Sequence, residues 1–96
     1  MEEWRTLWRN TRYEVSNLGR VRNRKSGKIL ATNPTKSHKK PQVWLYTDYF
    51  STTLQYTLDK LVYFTFNGVS AEITRKRVYH RDGDIMNCKL ENLYVK

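Results

Sequence analysis

The chain contains a single cysteine, Cys88, among its 96 residues. That excludes an internal disulfide and a cysteine-built zinc site, so packing and hydrogen bonds must hold the fold. No apolar run approaches the roughly 18 residues that mark a membrane-spanning helix. The opening Met1-Glu2-Glu3-Trp4-Arg5 has neither the basic start nor the apolar centre of a signal peptide. The expectation is a cytoplasmic or nucleoid-associated protein with no membrane partner. Acidic residues are scarce, 9 Asp and Glu against 18 Lys and Arg for a net charge of +9. Between Val15 and Thr47 there are none, while Arg20, Arg22, Arg24, Lys25, Lys28, Lys36, Lys39 and Lys40 lie in that interval. A polyanion is the partner this imbalance implies, and nucleic acid ranks ahead of membrane.

What is present suits a folded domain. A hydrophobic content of 39% with 14% aromatic residues is too apolar for a disordered chain. The length fits one domain, residues 1–96, with a thin core: a basic β module over 1–56, then a core helix and a motif-bearing segment over 57–96. Glu2 to Trp8 reads as a helical turn or a strand edge. Tyr13-Glu14-Val15-Ser16-Asn17 and Arg20-Val21-Arg22-Asn23-Arg24 alternate in the strand manner around an Asn17-Leu18-Gly19 turn. Lys25-Ser26-Gly27-Lys28 reads as a second turn, with Ile29-Leu30 starting a returning strand. Ala31 to Pro41 is a loop by its prolines, Asn33 and lysines.

Two β-rich runs, Gln42 to Thr47 and Ser51 to Tyr56, predict a hairpin turning at Asp48-Tyr49-Phe50. Their aromatics Trp44, Tyr46 and Tyr56 suit cross-strand packing, with base stacking as the alternative. Thr57 is placed to cap a helix from Leu58 to about Phe66 that buries Leu58, Leu61, Val62 and Phe64 or Phe66 and ends at Gly68. After a connector over Val69 to Thr74, Arg75-Lys76-Arg77-Val78-Tyr79-His80 reads as a basic strand. The whole predicts an α+β fold: a small antiparallel sheet of β-hairpins with one core helix.

The cations form two expected nucleic-acid-binding sets. Arg20, Arg22, Arg24, Lys25 and Lys28 lie on the hairpins with Lys36, Lys39 and Lys40 on the loop, and Arg75, Lys76, Arg77 and Arg81 make a second edge. Such residues contact phosphate and give affinity that falls with salt without reading sequence. From Val78 to Val95 the chain gathers a possible general base, His80, with Asp82, Gly83, Asp84, Asn87 and Asn92. Asp82-Gly83 permits a tight bend on backbone grounds alone.

The order of these features resembles the phage and intron-encoded HNH homing endonucleases. The resemblance runs through Glu3-Trp4-Arg5, Tyr13 to Val21 and Ser26 to Leu30. It continues in Leu58 to Phe66, His80 to Asp84, Asn87 and Glu91-Asn92-Leu93. It implies that the chain leads into a ββα (His-Me finger) HNH motif around one divalent metal, with His80 matching the base that activates water and Asn92 the asparagine that braces the loop. The family places an Asp, Asn or His just before the base, where this chain has Tyr79, and a further ligand on a later helix, whereas the chain stops at Lys96. Asp59 replaces a common family histidine and Cys88 a family asparagine.

A degenerate, C-terminally truncated HNH motif is therefore expected. The resulting reading is a catalytically inactive relative that binds nucleic acid, DNA ahead of RNA, or docks on a larger host nucleoprotein complex, in a phage or mobile-element setting. No cofactor is expected. Two alternatives stand beside it: an active nickase using magnesium with Asp82 or Asp84 as improvised ligands, and a small basic RNA- or ribosome-associated protein.

Overall fold

Residues 1–7, 10–32, 40–47, 51–68 and 77–95 are described by the computed structural model. Strand alternation decides the first sheet. Strands β1 (Trp4–Leu7), β2 (Asn10–Ser16) and β3 (Val21–Asn23) form an antiparallel meander in the order β1-β2-β3. Val15 pairs with Val21 across β2 and β3, and both are fully buried. The register brings Glu14 opposite Arg22 on the other face. The β2–β3 turn is fixed by Ser16, whose Oγ accepts the N–H groups of Leu18 and Arg20 at 3.2 and 3.1 Å, and by Gly19 at φ +87°.

After β3, Asn23 Oδ1 accepts the N–H groups of Lys25 and Ser26, both at 2.9 Å, and Gly27 adopts φ +76°. The turn expected there is present. The returning strand expected at Ile29 is present as an isolated bridge with Arg22, flanked by the Asn23 N–H bond to the Lys28 carbonyl at 2.9 Å and the Leu30 N–H bond to the Val21 carbonyl at 2.8 Å.

Strands β4 (Gln42–Thr47) and β5 (Thr52–Thr57) form the second hairpin, in register from Gln42↔Thr57 to Thr47↔Thr52. Its period of two sends Val43 and Leu45 into the core and leaves Trp44 60% and Tyr46 39% exposed. Two side chains of β2 tie this hairpin to the first sheet: Asn10 Nδ2 donates to the Tyr46 carbonyl at 2.9 Å, and Tyr13 Oη accepts the Tyr46 N–H at 3.3 Å.

Helix α1 (Leu58–Phe66) follows β5 directly, with Thr57 as N-cap and the Leu58 N–H bonded to the Pro41 carbonyl at 3.0 Å. Its buried residues are Leu58, Asp59, Leu61, Val62 and Phe64. Gly68 follows at φ +74°, as a helix end requires. The helix packs on β1, β2, β5 and the C-terminal ribbon. That ribbon pairs β6 (Tyr79–His80) with β7 (Leu93–Tyr94), and a 3-10 turn, Leu90–Asn92, leads into β7.

Leu7, Val15, Val21, Val43, Leu45, Leu58, Leu61, Val62, Phe64, Val78, Cys88 and Leu93 make one core cluster that takes residues from both halves of the chain. A close approach reinforces the join. Leu90 N–H bonds to the Asn17 carbonyl at 2.8 Å, and a Cβ at Gly19 would lie 3.2 Å from the Cys88 carbonyl oxygen. The first β-turn is thereby seated on the loop that precedes β7. The architecture is α+β, built of antiparallel hairpins and one helix.

Candidate functional site

The loop between β6 and β7 carries the residues singled out in the sequence, and its shape follows from two side chains. Asp82 and Gly83 make the bend, with Gly83 at φ +77° and its N–H on the His80 carbonyl at 3.0 Å. Asp82 closes the loop from within: its carboxylate accepts Asn87 Nδ2 at 2.9 Å, the Asp84 N–H at 2.8 Å and Asn92 Nδ2 at 2.9 Å. These bonds, Asn87's first, hold the Asp82 carboxyl below the usual carboxylate range. The buried Asn92 works in several directions. It donates to Asp82 and to the Asn87 carbonyl, and its Oδ1 accepts the Asp82 N–H at 3.1 Å.

His80 meets this scaffold at the same carbonyl. Its Nδ1 lies 3.0 Å from the Asn87 oxygen, so Asn92 and His80 are oriented by one acceptor. Its Nε2 lies 3.1 Å from Asp59 Oδ2, and the two side chains are 4% and 2% exposed. Lys40 Nζ reaches the same carboxylate oxygen at 3.0 Å. For Asp59, burial pushes the carboxyl up, but the bond and charge of Lys40, with the side chains of His80 and Thr57, outweigh it and leave the group lowered. A backbone carbonyl can only accept, so Nδ1 carries a hydrogen. Nε2 faces the Asp59 carboxylate, so both ring nitrogens of His80 are engaged by neighbours.

The neighbours do not form a cation site of the expected kind. Tyr79, immediately before His80, stacks on Tyr94 with ring centroids 5.5 Å apart, and Arg81 lies over Tyr94 at 5.2 Å. Both oxygens of Asp82 are taken by N–H donors, and Asp84 Oδ1 accepts the Met86 N–H at 3.0 Å. Among the described residues no three of His, Cys, Asp and Glu come together. A hard divalent ion asks for converging free oxygens, and among the described residues around His80 the carboxylates of Asp59 and Asp82 already accept hydrogen bonds. Cys88 is buried beneath the loop, and burial, with the charge of Asp59 adding to it, pushes its thiol up to about 12. It is a packing residue. An open depression of about 250 Å³ lies over this centre, lined by Lys40, Arg77, Val78, Tyr79, His80, Gly83 and Ile85.

The basic residues divide sharply. Arg20 forms two hydrogen bonds with the Glu2 carboxylate, which these bonds pull down to about 2 against the opposing effect of desolvation. Arg22 Nε donates to Glu14 at 2.9 Å, and the Arg22 guanidinium carbon lies 3.9 Å from the Trp4 ring centre, with that of Arg20 over the same ring at 5.6 Å. Lys40 reaches Asp59 with its Nζ and also lines the open depression over His80.

Arg24, Lys25, Lys28, Arg77 and Arg81 are exposed. Arg24 and Lys25 line a second shallow depression of about 230 Å³ with Thr11, Arg12 and Asn23. Lys36, Lys39, Arg75 and Lys76, the connector at 69–74 and the turn at 48–50 lie outside the described residues. Sequence reasoning passed over Glu2, Glu14, Trp4 and Arg12. Only the Glu14↔Arg22 pair had a readable signal, the facing strand alternation on either side of the Ser16 turn. Asp59 falls in the first turn of α1, but its burial against His80 depends on the tertiary packing of that helix.

Comparison with known proteins agrees with this geometry. A family profile described as the NUMOD4 motif matches residues 2–46. The fold matches the solved structure described as "DNA binding and cleavage by the HNH homing endonuclease I-HmuI", with a TM-score of 0.78 and 27% sequence identity over 98% of this chain. The match takes in 52% of that chain, so this protein spans about half the length of the structure it resembles. No curated protein matches it. Among the described residues no helix is long and apolar enough to cross a membrane. On the N-terminal motif and the fold match, this protein is related to the HNH homing endonucleases.

Proposed function

We propose that this protein binds DNA and does not cut it. The binding part of the reading is supported by the kinship to an endonuclease described as binding and cleaving DNA, and by the exposed cations Arg24, Lys25, Lys28, Arg77 and Arg81 on a chain of net charge +9. Exposed cations of this kind neutralise phosphates and release counterions. The observation that carries the loss of cleavage is the engagement of His80. Its ring is 4% exposed, Nδ1 is spent on the Asn87 carbonyl and Nε2 on Asp59. A base whose two nitrogens are both hydrogen-bonded has no lone pair left for a water, and Tyr79 brings no carboxylate for a metal that would stabilise the phosphorane charge. What survives of the family's centre is a rigid loop.

Binding is tested by fluorescence anisotropy with matched duplex DNA, single-stranded DNA and structured RNA at about 0.15 M salt. DNA held more tightly than RNA, with an affinity that falls steeply with salt, is the expected result. Preferential binding of RNA, or no binding of any of the three, overturns the DNA assignment.

A further inference from the structure

The β6–β7 ribbon sorts its side chains to two faces. Val78 and Leu93 are buried and the His80 side chain is 4% exposed, so these three take the inner face. On the outer face Tyr79 stands opposite Tyr94 across the ribbon, and the two rings stack with centroids 5.5 Å apart and planes 28° apart. Arg81 extends the row. Its guanidinium carbon lies 5.2 Å from the Tyr94 ring centre, and its backbone N–H donates to the Asn92 carbonyl at 2.8 Å. The side chain is nevertheless exposed, so the ring covers a face of the guanidinium and leaves its N–H edge outward.

The first sheet holds the same device in completed form. The Arg22 guanidinium carbon lies 3.9 Å from the Trp4 ring centre, and the Glu14 carboxylate accepts Nε at 2.9 Å. There a ring orients the cation and a carboxylate of the chain takes its edge. On the ribbon the ring is present, but among the described residues no carboxylate pairs with Arg81. The adjacent Asp82 directs its carboxylate to Asn87, Asn92 and the Asp84 N–H instead.

We infer that a phosphate of the DNA backbone takes the edge of Arg81, and that Tyr94 is the positioning residue that holds the guanidinium ready for it. The inference rests on the DNA-binding reading and adds to it one defined contact and its support. A phosphodiester offers two free oxygens to a planar fork of N–H donors, and the net charge of +9, with Arg77 also exposed ahead of β6, favours a polyanion over a lone carboxylate. A guanidinium already seated on a ring gives up less freedom on binding than a free side chain. Lysine has neither the plane to stack nor the fork to pair, so it is a poor substitute here.

The experiment measures duplex DNA binding by fluorescence anisotropy across a salt series, for wild type, Arg81→Ala, Arg81→Lys, Tyr94→Leu, Tyr94→Phe and the double variant Arg81→Ala with Tyr94→Leu. Arg81→Ala should weaken binding roughly fivefold and flatten the dependence of log K on log salt by about one phosphate contact. Arg81→Lys should recover the slope but not the full affinity. Tyr94→Leu should cost roughly threefold, and Tyr94→Phe, which keeps the ring, should bind as wild type does. In the Arg81→Ala background Tyr94→Leu should cost nothing further, an outcome that a merely structural role for Tyr94 would not produce. Thermal melts check that each variant is folded, and the exposed Arg81 keeps the test readable even where Tyr94→Leu loosens the ribbon. An unchanged affinity and slope in Arg81→Ala overturns the contact while DNA binding stands. An equal loss from Tyr94→Leu with and without Arg81 overturns the positioning role. Failure of the wild-type protein to bind duplex DNA removes the DNA-binding reading, and the inference with it.

Discussion

The His80 centre and the depression at Arg24 and Lys25 use similar residue types to opposite ends. Around His80 the ionisable groups are matched by partners: Asp59 by Lys40 and His80, Asp82 by Asn87, Asn92 and a backbone N–H. In the depression, Arg24 and Lys25 are exposed, and among the described residues its lining holds no acidic group. The closed centre stabilises a loop, and the open one is left to meet a polyanion. Whether a charge serves the fold or a partner is thus decided by what lies opposite it in three dimensions. Arg20 and Arg22 make the point within one sheet. They belong to the same acid-free interval of sequence as Arg24 and Lys25, yet Glu2 and Glu14 reach them from outside that interval.

The largest expected break in this comparison is Asp59→Ala. It strands Lys40 and His80 beside a buried void and should lower unfolding free energy by about 3 kcal/mol in chemical denaturation. An effect below about 1 kcal/mol would show that the ion pair is solvated and that His80 is not sequestered. Asn92→Ala comes next. It removes two donors and one acceptor from the loop and should cost about 2 kcal/mol by the same measurement.

On the open side, Arg24→Ala with Lys25→Ala should weaken duplex binding about tenfold and flatten the dependence of log K on log salt by about two phosphate contacts. Arg20→Ala with Arg22→Ala should leave that slope nearly unchanged. Equal losses from both pairs would erase the distinction between paired and open arginines.

A pH titration of stability sharpens the same contrast. Asp59 and Asp82 are both held below the ordinary carboxylate range in the folded chain. Their contribution is therefore complete above the unfolded value of about 4 and is lost as pH falls through the depressed folded values. The thermal midpoint should drop on acidification below about pH 4, and Asp59→Asn should flatten that drop. The smallest expected effect is Glu14→Gln, which frees Arg22 on the sheet face and should raise DNA affinity by less than about threefold.

Much of this fold could be read from local pattern. The alternation around Val15 and Val21 marked the first sheet, and the i, i+3, i+4 spacing of Leu58, Leu61 and Val62 gave the helix with its ends at Thr57 and Gly68. Asp82-Gly83 and Asn17-Leu18-Gly19 marked turns because their backbone requirements are local. The site was less legible. His80 stood out by residue type, but its state depends on Asp59, 21 positions earlier, brought to it by the packing of α1 on the ribbon. The pairing of the basic residues was hidden for the same reason: Lys40 answers Asp59, 19 positions away, and Arg20 answers Glu2, 18 positions away. Charge runs report composition along the chain, whereas neutralisation happens across it.

The most direct test of the central claim, that the chemical centre is closed while the binding surface is open, is a single experiment on supercoiled plasmid with magnesium or manganese, scoring mobility shift and nicking in the same samples for wild type and His80→Ala. The account predicts that both proteins shift the plasmid to the same extent and that it stays supercoiled in both. Nicked plasmid in the wild-type sample that disappears with His80→Ala would contradict it, since His80 would then be acting as a base despite its bonds to Asp59 and Asn87.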